Sequence, residues 1–342
     1  MEPSPIHSVD AHVDDGLTPR PPSPYAGPAL DGQAAVTTLA PIAAVDSTKE
    51  RKKLCPTPLA WRQVVESLRD EGTSWEVRRD RHVVRGKTWG AGLPLYFLGG
   101  FGGTPELFAL SVWLLRQQFQ CVVFDFETYD ASRLGKVQKS VGDLTDDLFA
   151  IADRNGDSTF ALYAASFGSA VALTAMLEQP ERIDRAVIQG GFSHLRLTSF
   201  ERLLIVLSRL VRGRLARVPF RESIQAQSHR PWFPLFDLSR WQFFLHDTGL
   251  VPVSAIASRV QMLRSYDLRH RLSEIQQPVL LIQTEGEGRV LAQSREVLQR
   301  GLPRAQTECL HACGLLPYLT HPHRLVKLIR PFLLGNEETD SS

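Results

Sequence analysis

One serine stands where a strand must turn sharply into a helix. Ala164-Ala165-Ser166-Phe167-Gly168 follows the apolar run Phe160–Ala164 and precedes an alanine-rich stretch, Ser169–Leu177. A serine at such a turn is held in a strained conformation with its hydroxyl presented outward. The positions two before and two after it must be small so that strand and helix can approach. The chemistry this arrangement suits is nucleophilic attack on an acyl carbon, provided a base takes the hydroxyl proton. A second segment, Gly99-Gly100-Phe101-Gly102-Gly103-Thr104, follows the apolar run Leu95–Leu98. Backbone N–H groups in such a loop and just after the serine can together stabilise a developing oxyanion, and the candidate donors are Phe101 and Phe167. The loop lacks the Lys-Ser/Thr of a phosphate-binding loop, and the G-x-G-x-x-G spacing fails at Pro105. A purely structural glycine turn is the alternative reading.

The remaining chemistry requires an imidazole to move the proton and an acid to hold that imidazole in register. Two acids, Glu285 and Glu287, follow the late apolar run Val279–Ile282 and are the candidates for that role. The candidate base is His311, at the end of the run Thr307–His311. His194 is the next candidate, His246 has no assigned place, and His321 fits the start of a terminal helix. Cys309, His311, Cys313, His321 and His323 fall on a strand, a loop and a helix start without any C-x-x-C pair. No metal is expected there, and no cofactor.

The elements that must position these residues are legible as alternating patterns. Leu95–Leu98, Cys121–Phe124, Phe160–Ala164 and Ala186–Ile188 are short apolar runs separated by helical stretches, the pattern of buried parallel strands in a wound sheet. Residues 74–89 alternate as two earlier strands. Thr57 is placed to cap a helix from Pro58 to about Asp70, and a terminal helix is expected over about 324–334. Residues 193–272 form a long insertion, rich in arginine and helix formers, that reads as a helical cap. Within it, 200–218 has an apolar stripe of Leu203, Val206, Leu207, Leu210 and Val211, with Arg202, Arg209, Arg212, Arg214 and Arg217 around it. Such a helix covers a crevice or lies weakly on a membrane surface. Trp232, Phe233, Phe236, Trp241, Phe243 and Phe244 line the crevice or fill the cap's own core.

Residues 1–54 carry repeated prolines and no periodicity, so disorder is expected there and in 336–342. The core is expected over 55–192 and 273–335. Formal net charge is +2 over 342 residues, which gives no bulk attraction to nucleic acid. Four cysteines without a framework, and no leader-like N-terminal pattern, lead to the expectation of a cytoplasmic protein.

Taken in chain order, the glycine loop, Asp125, the serine turn and Gly190-Gly191-Phe192 resemble the α/β-hydrolase superfamily over most of residues 75–334. The resemblance implies a mostly parallel central sheet flanked by helices, with a helical cap inserted after the sixth strand. In that superfamily the triad histidine follows a glycine and precedes x-Pro, which in Gly314-Leu315-Leu316-Pro317 falls on Leu315. Removing the histidine from a Ser-His-Asp enzyme costs roughly a millionfold. Gly314-Leu315-Leu316-Pro317-Tyr318-Leu319 and Gln277-Pro278-Val279-Leu280-Leu281-Ile282 are similar to the maspardin-like branch, which has lost that histidine. The likeness implies a pseudohydrolase or scaffold that binds a small acyl-type ligand or a protein partner. The alternative is a serine hydrolase of carboxylic-ester type, acting on a small ester, thioester or amide through Ser166 and a non-standard histidine.

Overall fold

The computed structural model describes residues 60–79, 82–126, 140–195, 213–235 and 237–335. The expected terminal tails, the cap stretch through Arg212, Phe236 and the cap on Thr57 lie outside them. Eight strands form one sheet: β1 (Thr73–Arg78), β2 (Val83–Trp89), β3 (Leu93–Leu98), β4 (Phe119–Phe124), β5 (Phe160–Ala165), β6 (Ile183–Gln189), β7 (Val279–Thr284) and β8 (Ala305–Leu310). Their order is β1-β2-β4-β3-β5-β6-β7-β8. The β1–β2 and β2–β4 pairs are antiparallel, and every later pair is parallel.

The central strands are covered on both faces, so their sequences run continuously apolar instead of alternating. All six residues of β5 are buried. Helices α1 (Trp61–Glu71), α2 (Ala109–Leu115), α3 (Val141–Asn155) and α4 (Gly168–Glu178) precede the insertion. Helix α1 starts at Ala60, whose N–H is capped by the Gln63 side chain at 3.0 Å. Helix α4 is apolar on nearly every side because it packs against the sheet at the turn after β5. A Cβ on Gly168 would sit 2.4 Å from the Leu98 carbonyl oxygen, so only glycine lets α4 start this close to β3.

The insertion follows β6 as α5 (Arg221–His229), α6 (Leu238–Leu250) and α7 (Val253–Met262). The expected helix over 200–218 does not extend through its last residues. Gly213 takes φ +137, Arg214 bridges to Pro252 as extended chain, and Leu215–Arg217 is a single 3-10 turn. A residue at that φ cannot propagate an α-helix, so any helical stretch must end before Gly213. Phe233, Trp241 and Phe244 are buried in mutual contact, with ring centroids 5.1–5.7 Å apart, and belong to the same apolar core as Phe108, Tyr318 and Leu319. Helix α8 (Gly288–Gly301) follows β7, and the short α9 (Pro317–Thr320) and α10 (Pro322–Leu333) close the chain. Among the described residues no helix is long and apolar enough to cross a membrane.

Candidate active site

Ser166 sits in the turn between β5 and α4 at φ +49, a left-handed conformation unusual for a non-glycine residue. Its backbone is held from both sides. The Ser166 N–H donates to the Gln189 carbonyl at 2.9 Å, and the Ser169 hydroxyl donates to the Ser166 carbonyl at 2.6 Å. Ser169 Oγ in turn accepts the Phe192 N–H at 3.1 Å, tying the turn to the segment after β6. The Ser166 side chain remains half-buried.

The glycine loop lies directly over this serine, since a Cβ on Gly100 would be 3.5 Å from Ser166 Cβ. Phe101 and Phe167 are brought together, with ring centroids 5.6 Å apart, and Phe101 stacks on Phe192. Two cap side chains fix the loop. Arg259 of α7 donates through Nη1 to the Gly100 and Phe101 carbonyls at 3.1 and 3.0 Å, and through Nη2 to Asp125 at 2.9 Å. Arg259 is 3% exposed. Its planar fork therefore holds the loop and the end of β4 at once.

Asp247 of α6 accepts the Thr104 N–H at 2.8 Å and lies 2.5 Å from Thr104 Oγ1. Glu106 lies 2.5 Å from the same hydroxyl oxygen. Burial pushes Asp247 up to about 6, against the lowering effect of its hydrogen bonds from Thr104. Neither Arg259 nor Asp247 stood out in the sequence; the only signal was Arg259 as the one charge within the small or apolar α7.

The expected acid and base make their described hydrogen bonds to residues other than Ser166 and each other. Glu287 is buried between the Thr284 N–H and Arg295, each at 3.3 Å, so it stabilises the turn after β7. Desolvation raises its pKa, and Arg295 opposes the rise. His311 lies at the outer end of β8 with a side chain 74% exposed, and its Nδ1 is 3.1 Å from Glu285. That contact holds the Glu285 carboxyl below its usual range. His194 forms a bridge with Asp267 beyond β6, His246 is exposed on α6, and His321 Nδ1 lies 2.9 Å from the Thr320 hydroxyl. Among the described residues, no imidazole makes a hydrogen bond to the Ser166 hydroxyl. No group of three or more metal-binding side chains occurs among them either.

Leu315 occupies the loop after β8 and its carbonyl accepts from the Gln189 side chain at 3.0 Å. Trp232 of the cap covers that loop closely. A Cβ on Gly314 would lie 2.5 Å from the indole, and one on Gly286 would lie 2.8 Å from it. The loops after β7 and β8 thus meet through two glycines beneath one tryptophan.

Comparison with known proteins agrees with this architecture. The chain is 25% identical over 257 residues to the pimeloyl-[acyl-carrier protein] methyl ester esterase of Nitrosomonas europaea, covering 70% of this chain and 95% of that one. A hydrolase of Pseudomonas aeruginosa superposes with a TM-score of 0.64 at 18% identity, covering 77% of this chain and 98% of that one. A thermophilic esterase of Thermogutta terrifontis, solved with malate bound, gives 0.65 at 15% identity over the same shares. The sequence model for the alpha/beta hydrolase fold matches residues 94–322, and the chain belongs to that family.

Proposed function

We propose that this protein uses the α/β-hydrolase fold as a binding scaffold for a small acyl-type ligand, with Ser166 acting as a hydrogen-bonding hydroxyl. The observation that carries the reading is Leu315. The loop that would present a proton acceptor carries an aliphatic side chain, and its backbone is engaged by Gln189. A serine hydroxyl without a base keeps its proton and donates it to a carbonyl or carboxylate, and the glycine loop above it adds backbone donors. The similarity to an esterase of an acyl methyl ester supports an acyl group as the ligand class.

The test is labelling with a fluorophosphonate probe, comparing the wild type with Ser166→Ala. The scaffold reading expects no labelling that depends on Ser166. Labelling that disappears in the variant overturns it. A second reading, turnover through an irregular base, is favoured by the His311–Glu285 contact, in which a carboxylate orients an imidazole through Nδ1. It expects labelling to be lost in both Ser166→Ala and His311→Ala.

A further inference from the structure

The cap carries an apolar surface that its own fold does not use. Five of the seven large hydrophobic residues exposed among the described residues fall between 220 and 250. Single exposed apolar side chains are ordinary, but a cluster on one element is not. Phe220 is the sharpest case. It caps α5 at φ +59, a conformation that disfavours a bulky side chain, and its ring is 81% exposed. Ile224, 62% exposed, lies one turn further on the same helix face, its N–H donating to the Phe220 carbonyl. Arg221 lies beneath them. It is buried and donates to the Leu245 carbonyl at 2.9 Å and to Thr248 Oγ1 at 3.2 Å, which pins α5 to α6 and turns Phe220 and Ile224 outward.

The exposed charges beside this face are two arginines and one glutamate. The exposed residues Arg214 and Arg217 precede Phe220, and neither makes an ion pair with another described residue. The nearest acid in sequence, Glu222, is engaged by Arg221 at 3.4 Å. The segment carrying Arg214 and Arg217 is tied to the end of α6, since Leu215 donates to the Val251 carbonyl at 2.8 Å and a Cβ on Gly249 would be 3.2 Å from Ala216 Cβ.

We propose that the Phe220–Ile224 face of the cap is a docking surface for an anionic lipid bilayer. The exposed Phe220 ring leaves water when it enters an acyl layer, and Ile224 on the same face adds to that burial. The two arginines then meet lipid phosphates, each contributing roughly fivefold to partitioning. A second copy of the chain fits less well, since self-contact through this face brings the arginines of both copies together.

The experiment is co-sedimentation of the full chain with vesicles of phosphatidylcholine alone and of phosphatidylcholine mixed with phosphatidylglycerol. The wild type is expected to sediment with the mixed vesicles only. Phe220→Ser with Ile224→Ser is expected to lose at least tenfold in partitioning. Arg214→Gln with Arg217→Gln is expected to lose about as much at low salt and less at high salt. Both double variants change exposed positions and should keep the wild-type thermal melt. Failure of the wild type to bind mixed vesicles overturns the proposal, as does equal binding by the apolar variant. A wild-type dimer that the apolar variant dissociates also overturns it, in favour of self-association.

Discussion

The side-chain amide of Gln189 donates to the backbone carbonyl of Leu315 at 3.0 Å, while the Gln189 carbonyl accepts the Ser166 N–H at 2.9 Å. One residue at the end of β6 thus joins the serine turn to the loop after β8. Gln189 is 2% exposed and its Oε1 has no partner. Gln189→Leu therefore removes a useful donor and an unsatisfied acceptor together. The net cost should be only about 1 kcal/mol, against about 2 kcal/mol for Gln189→Ala, which also leaves a void. Urea denaturation of the two variants distinguishes these values. A larger loss in the leucine variant would mean that the amide does more than tie two loops.

The carboxyl pair at Thr104 predicts a pH dependence. Asp247 titrates at about 6 when folded, against an ordinary value of 3.8. The folded state therefore keeps a proton that the unfolded chain has already lost, and stability falls as pH rises from about 4 to about 6. A shift of about two units corresponds to about 3 kcal/mol. Asp247→Asn is neutral throughout, so the stability difference between variant and wild type should move in the variant's favour across that window and stay level above it. Denaturation midpoints at pH 4.5 and 7.5 check the sign. An unchanged difference would place the extra proton elsewhere.

Most of the sheet was legible because its signal is local. Each of β3 to β7 is a short apolar run, and an apolar run becomes a buried strand whatever its distant partners are. The serine turn was legible for the same reason, as Ala164, Ser166 and Gly168 act within five residues. The site's supports were not, because Arg259 reaches back 159 residues to Gly100 and Asp247 reaches 143 residues to Thr104. No pattern within α6 or α7 encodes those partners. The helix expected over 200–218 is not α-helical in its described part, 213–218, for a local reason that composition hides: Gly213 takes φ +137, outside the helical region. Glu287 lies in the turn after β7, and its contact with Arg295 in the following helix has no counterpart in any pattern local to that turn.

Arg259 is the strongest single support of the glycine loop. Arg259→Met should cost about 3 kcal/mol, since two buried carbonyls lose their donor. Arg259→Lys should recover less than half of this, because a lysine cannot reach both carbonyls and Asp125 with one planar fork. Thermal and chemical melts of both variants measure the difference. Full recovery by lysine would mean that the positive charge matters and the geometry does not.

The contact of Trp232 with Gly286 and Gly314 yields a coupled prediction. A methyl group at Gly314 must displace the indole or the loop, because the indole lies 2.5 Å from where a Cβ would stand. Gly314→Ala alone should destabilise the protein by about 2 kcal/mol through overpacking. In a Trp232→Gly background, which removes the Trp232 Cβ at 2.8 Å together with the indole, the same substitution should cost much less. The interaction energy from this double-mutant cycle is expected to exceed about 1 kcal/mol, with a sign showing that the second change relieves the first. Additive effects would mean that the loop after β8 yields before the indole does. Tryptophan fluorescence resolves the two outcomes, since a displaced Trp232 shifts its emission to longer wavelength and a displaced loop leaves it unchanged.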